Sequence, residues 1–269
     1  MTLTIDRIRY GEYSGYLAYP TRAGQPLPAV IVIQEAWGVD EHIEDVTRRI
    51  ALAGYAAFAV DVYARNGERP AALTRERGAE LKGFFDALRP DQMADPAKRD
   101  AAVEEWPEPG RSRLRESIQA MFATLGNAEE NLRPVLAAAK YLREENAVTR
   151  GQKVGSVGFC MGGGLSALLA CADPALAGAV IFYGMAPSEE KIAALRCPLL
   201  GLYGGLDARI GAGIPGFLES MRKHGKSLEH HVYEGAAHAF FNDTRPVYDV
   251  RASRDAFVRT LSFFQRNLA

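Results

Sequence analysis

The sequence predicts an α/β fold built on a mostly parallel sheet with helices on both faces. Short apolar runs such as "PAVIVIQE" (28–35) and "KVGSVGF" (153–159) are continuous rather than alternating, the mark of strands buried on both sides. Between such runs lie segments with helical apolar spacing, and strands that alternate with helices imply parallel pairing. The alternation passes through both halves without a linker, internal repeat or low-complexity tract, so residues 1–269 are expected to form a single domain.

The elements follow in order. "TLTIDRIRY" and "GYLAYP" alternate polar and apolar residues and read as an antiparallel pair turning near Gly11. The run 28–35 is the first buried strand, and "DEHIEDVTRRIALAG" (40–54) is a helix stopped by Gly54. "YAAFAVDVY" (55–63) is the next strand. Residues 64–127 differ from the rest, being charged and broken by Pro70, Pro90, Pro96, Pro107 and Pro109. They predict a helical insertion outside the sheet, and a connection of that length usually carries function, here as a lid or pocket wall. A long helix at 128–146 leads to strand 153–159, a helix at 161–171, strand "GAVIFYG" (178–184) and a short helix near 188–195. Strand "CPLLGLYG" (197–204), a helix at 214–224, strand "LEHHVYEG" (228–235) and a helix at 250–267 complete the chain.

Composition narrows the function classes. Lys and Arg number 32 against 33 Asp and Glu, a net charge of −1, which argues against nucleic acid or an anionic membrane as partner. No segment has the length of a membrane span, and the N-terminus lacks the apolar core of a signal peptide. Three cysteines, Cys160, Cys171 and Cys197, are an odd number at irregular spacing. They fit free thiols in a reducing cytoplasm rather than a disulfide framework or zinc ribbon, so a cytoplasmic protein without a bound metal is expected.

The most informative stretch is "VGSVGFCMGGG" (154–164), a strand, then Gly158, Cys160 and Gly162, then a helix. Glycines two positions before and after a residue on a sharp strand-to-helix turn match the nucleophile elbow of an α/β-hydrolase, where a Cβ would clash as the backbone doubles back. The helix N-terminus favours a thiolate at Cys160, and the N–H of Met161 is placed to donate to a developing oxyanion. The glycine spacing matches neither common phosphate-binding loop. A buried structural cysteine is the usual fate of a lone Cys, but the order of strand, glycine, Cys, glycine and helix favours the elbow. In that fold an acid and then a histidine follow the nucleophile along the chain. Asp207 ends the strand "LLGLYGGLD" and His238 lies in the loop after "LEHHVYEG", both at carboxyl ends of strands. His238 would take the thiol proton, and Asp207 would hold the imidazole tautomer. His42 and His224 fall on helices, His230 and His231 fall inside a strand, and Asp243 lies too close to His238 in the chain to serve as the acid.

With these residues in this order, the chain resembles the dienelactone hydrolase (carboxymethylenebutenolidase) family, through "PAVIVIQEAWGV", "DVYAR", "KVGSVGFCMGGG", "YGGLD" and "GAAHAFFNDTRPVYD". The resemblance implies a Cys-His-Asp triad that opens small lactone or ester substrates without metal or organic cofactors. It gives Glu35, read from the residues alone as a solvated strand end, the role of a carboxylate that contacts the resting thiol and moves on substrate binding. By the same match Ala36 supplies the second oxyanion N–H and Trp37 lines the pocket. Family members bind a substrate carboxylate with two arginines. Here Asn242 stands near one of those positions with Arg245 the nearest arginine, and the insertion replaces the region of the other, leaving Arg65 of the shared "DVYAR" segment. A weakened preference for anionic substrates is therefore expected. Two rival readings remain: an aryl-ester or thioester hydrolase on the same triad, and a non-catalytic homologue that senses a ligand or oxidant through its thiol. Presence of all three triad residues counts against the second. The sequence leaves the oligomeric state open.

Overall fold

A computed structural model describes residues 2–268, so Met1 and Ala269, the two ends of the expected 1–269 domain, lie outside the described residues. The strands are β1 (Leu3–Tyr10), β2 (Tyr13–Pro20), β3 (Ala29–Ile33), β4 (Ala56–Val60), β5 (Val154–Phe159), β6 (Gly178–Phe182), β7 (Leu199–Gly204) and β8 (Leu228–Tyr233). They form one eight-stranded sheet in the order β1-β2-β4-β3-β5-β6-β7-β8. β1 and β2 are antiparallel to each other, β2 is antiparallel to β4, and every later pairing is parallel. This is the α/β-hydrolase architecture that the alternating pattern predicts.

The helices are α1 (Glu41–Leu52), α2 (Arg75–Ala87), α3 (Pro90–Ala94), α4 (Pro96–Glu104), α5 (Gly110–Leu125), α6 (Ala128–Glu144), α7 (Met161–Ala172), α8 (Glu189–Ile192), α9 (Ala208–Gly211), α10 (Ile214–Lys223) and α11 (Val250–Leu268). Because side chains alternate along a strand, β3 sends Val30 and Val32 to one face and Ala29, Ile31 and Ile33 to the other. The first face is covered by Ile43, Val46 and Ile50 of α1 and by Phe263 and Phe264 of α11. The second face is covered by Val135, Ala138, Ala139 and Leu142 of α6 and by Leu165 and Leu169 of α7. All five residues of β3 and β4 are buried, as continuous apolar runs require.

Several strands end earlier than their apolar runs, for local reasons. The run 55–63 stops at Val60 because the Asp61 carboxylate accepts from the N–H groups of Tyr63 and Ala64 and turns the chain. The run 28–35 stops at Ile33, after which Gln34 spends its side-chain oxygen on the Val62 N–H. Residues 64–127 carry α2 to α5 outside the sheet, as the proline-rich charged stretch predicts. Phe84 and Phe85 of α2 and Leu114 and Met121 of α5 are buried, so the insertion is packed onto the body through an apolar seam. No helix among the described residues is long and apolar enough to cross a membrane.

Candidate active site

Cys160 sits between β5 and α7 with φ 55° and ψ −113°, a left-handed conformation that a side-chain-bearing residue adopts only where its surroundings enforce it. Its N–H donates to Phe182 O at 3.1 Å, and its carbonyl accepts from Gly163 N at 3.1 Å. The flanking glycines are steric necessities. A Cβ on Gly158 would lie 1.8 Å from Gly162 O, and one on Gly162 would lie 2.3 Å from Ile33 O. Met161 is the first residue of α7, so its N–H has no acceptor within the helix.

The ends of the neighbouring strands bring the other groups in. Asp207 follows β7, is buried, and caps α9 by accepting from Ile210 N at 3.3 Å. Its other carboxylate oxygen pairs with Nδ1 of His238 through a short contact. His238 precedes Ala239, another non-glycine residue at positive φ (62°), so the loop after β8 is bent to aim the imidazole. Burial opposes a charge on His238. The charge of Cys160 and the hydrogen bonds of the imidazole with Asp207 and Cys160 outweigh it and push the imidazole up to about 10. His238 thus pairs with Asp207 and is coupled electrostatically to Cys160.

Glu35 lies in the loop after β3 and is 2% exposed, so its carboxylate needs donors. It has one on each oxygen: Tyr183 Oη donates to Oε1 at 3.1 Å, and Asn242 Nδ2 donates to Oε2 at 2.7 Å. This corrects one expectation: Glu35 is not a solvated strand end, because it is buried with its oxygens engaged by Tyr183 and Asn242. Ala36 is buried, and its carbonyl accepts from Tyr63 Oη at 2.7 Å, which fixes the loop carrying its N–H.

Of the expected substrate-binding residues, Trp37 is buried beside Phe85 of α2, with Arg245 over its ring. It lines a cavity of about 330 Å³ whose walls include Asp40, Arg75, Lys82, Asp86 and Thr244. Arg245 is committed to Asp86, which accepts from Nε at 2.7 Å and Nη2 at 2.6 Å. Arg65 is not brought to the site. Its guanidinium donates to the carbonyls of Val62 and Ala64, pairs with Glu130 and lies over Tyr13, because the turn after β4 needs its carbonyls satisfied. Asp243 pairs with the buried His42 and with Arg49, and hydrogen bonding to His42 holds its carboxyl below the usual range. His224 caps α10, and His230 and His231 lie in β8.

Sequence reasoning missed Tyr183 as a partner of Glu35. The available signal was a hydroxyl-bearing aromatic at the end of β6, the strand beside β5, where the buried run meets the carboxyl edge.

Comparison with known proteins decides the lineage. Residues 13–268 match the model of the dienelactone hydrolase family. The chain belongs to that family. It is 34% identical over 252 residues to the "Putative carboxymethylenebutenolidase" of Saccharolobus solfataricus, covering 93% of each chain. It is 30% identical to the "Probable 2-oxo-3-(5-oxofuran-2-ylidene)propanoate lactonase" of Bradyrhizobium sp., covering 99% of this chain and 96% of that one. Among solved structures, the "Putative Dienelactone Hydrolase" from Klebsiella pneumoniae superposes with a TM-score of 0.71 at 26% identity, over 99% of this chain and 100% of the other. This member of the dienelactone hydrolase family is a hydrolase of lactone or ester bonds.

Proposed function

We propose that the protein hydrolyses small carboxylic esters or lactones through a covalent thioester on Cys160. The observation that carries this reading is the convergence of Cys160, His238 and Asp207 at one sheet edge, on an elbow that tolerates no Cβ at Gly158 or Gly162. His238, its imidazole pushed up to about 10, takes the proton of the Cys160 thiol. The thiolate adds to the substrate carbonyl carbon, and the carbonyl electron pair moves onto oxygen. The N–H groups of Met161 and Ala36 receive that oxyanion. Collapse re-forms the carbonyl and expels the alkoxide, which takes its proton from the His238 imidazolium. In a lactone the alkoxide stays tethered to the acyl group. His238, now neutral, removes a proton from water as it attacks the thioester. A second collapse releases the acid, and the proton on His238 restores the starting pair. Asp207 holds Nδ1–H throughout, so Nε2 is the atom that exchanges protons.

Substrate charge plays a smaller part than the family resemblance implies. Arg245 and Lys82 beside the Trp37 cavity are already paired with Asp86 and Asp40, and Arg65 is engaged elsewhere. The test is kcat/KM for a panel of small lactones and p-nitrophenyl esters, with wild type and Cys160→Ala. The reading predicts turnover of at least one substrate in wild type and loss of roughly a thousandfold or more in the variant. Wild-type kcat/KM in Cys160→Ala overturns it.

A further inference from the structure

A buried carboxylate close to a catalytic thiolate poses a physical problem, since negative charge beside the sulfur disfavours its ionised form. Glu35 is a buried carboxylate on the loop between β3 and the Ala36 N–H, and it shares Tyr183 as a neighbour with Cys160. The surroundings of its two donors are built to keep them in place. Tyr183 is fully buried, takes a positive φ of 40°, and donates its N–H to Leu202 O at 2.9 Å. Its ring is packed among Phe159, Phe182, Phe240 and His238, so the hydroxyl cannot swing away. Burial, then the charge of Glu35, raise this phenol well above its usual range and keep it a donor.

Asn242 is also fully buried, and its amide orientation is fixed from the other end. Its Oδ1 accepts from Thr244 N at 3.1 Å and Thr244 Oγ1 at 2.7 Å, so Nδ2 must face Glu35. The next residues anchor the loop to other elements. Asp243 holds His42 and Arg49 of α1, Thr244 contacts Lys82 of α2, and Arg245 holds Asp86 of α2.

We propose that Tyr183 and Asn242 are positioning residues that hold the Glu35 carboxylate off the Cys160 sulfur, so that His238 is the sulfur's partner before any substrate binds. The nucleophile is then preformed rather than switched on by substrate. The loop after β8, braced by α1 and α2, maintains that state. This inference rests on the reading of Cys160 as nucleophile. Tyr63, Tyr183 and His238 interact with the Cys160 sulfur, Asp207 stands behind His238, and Glu35 and Arg245 interact with Tyr183. Among these, Glu35 is the acid whose orientation depends on Tyr183 and Asn242.

The experiment is the second-order rate of iodoacetamide alkylation at Cys160, located by peptide mapping, from pH 5.5 to 9.5. Wild type, Tyr183→Phe, Asn242→Ala and the double variant Tyr183→Phe/Glu35→Gln are compared. Each single variant frees one carboxylate oxygen to turn toward the sulfur and share its proton. Alkylation near pH 7 is expected to slow about five- to tenfold, with the profile shifted to higher pH. Adding Glu35→Gln to Tyr183→Phe removes the charge and should bring the rate back to within twofold of wild type. Tyr183→Phe removes a single oxygen, so it reports even where Asn242→Ala folds poorly. Rapid wild-type labelling with an unchanged rate in Tyr183→Phe overturns the proposal. So does a slow rate that persists in the double variant, since that is general damage to the elbow. Absence of Cys160 labelling in wild type defeats the nucleophile reading itself and is thereby distinguished.

Discussion

Burial pushes the Cys171 thiol up to about 11 and the Cys197 thiol up to about 12, so both stay protonated near neutral pH. Cys160 instead sits at the N-terminus of α7 and is coupled to His238, the base that takes its proton in the proposed reaction. One equivalent of iodoacetamide at pH 7 is therefore expected to modify Cys160 and leave Cys171 and Cys197 free, as read by peptide mass mapping. Comparable labelling of all three would remove the electrostatic distinction.

At the scale of elements, the elbow and the insertion make separate demands. Gly158→Ala places a Cβ against backbone that cannot yield, so it should cost roughly 4 kcal/mol or more, or prevent folding. Gly216→Ala, on the exposed side of α10 with open space around it, should gain about 0.5–1 kcal/mol. Denaturant midpoints of the two variants check the contrast, and similar midpoints would contradict the steric account. The insertion is fastened to the site by the Asp86–Arg245 pair and by Phe85 against Trp37. Asp86→Ala releases the guanidinium beside Trp37. A hydrogen bond to a charged group contributes about 1.5–3 kcal/mol, so kcat/KM for a carboxylated ester should rise about ten- to a hundredfold relative to its methyl ester. An unchanged ratio would place Arg245 out of reach of substrate.

At the scale of the whole molecule, what the sequence reveals divides along physical lines. The buried strands are legible because burial on both faces leaves uninterrupted apolar runs, as in "AVIVI" and "AAFAV". Asp207 and His238 are legible as partners because they stand at carboxyl ends of strands in a fixed chain order after the Cys160 turn, and they pair in the structure. Strand ends are less so, since Asp61 and Gln34 terminate strands through side-chain hydrogen bonds that no periodicity encodes. The hardest part is pairing between distant polar residues. Glu35 meets Asn242 across 207 positions and Tyr183 across 148, and only the folded sheet edge brings them together. Arg65 misleads for the related reason that an arginine in a shared segment shows its charge but not its partners.

The proposed reaction puts the acyl group on Cys160 during turnover. Its most direct test is rapid acid quenching of wild type during turnover of p-nitrophenyl acetate, followed by mass mapping of the digested chain. The account predicts one acetyl group, on the peptide containing Cys160, with accumulation abolished in Cys160→Ala. Turnover with the acetyl group on another residue, or undiminished turnover in Cys160→Ala, would contradict it.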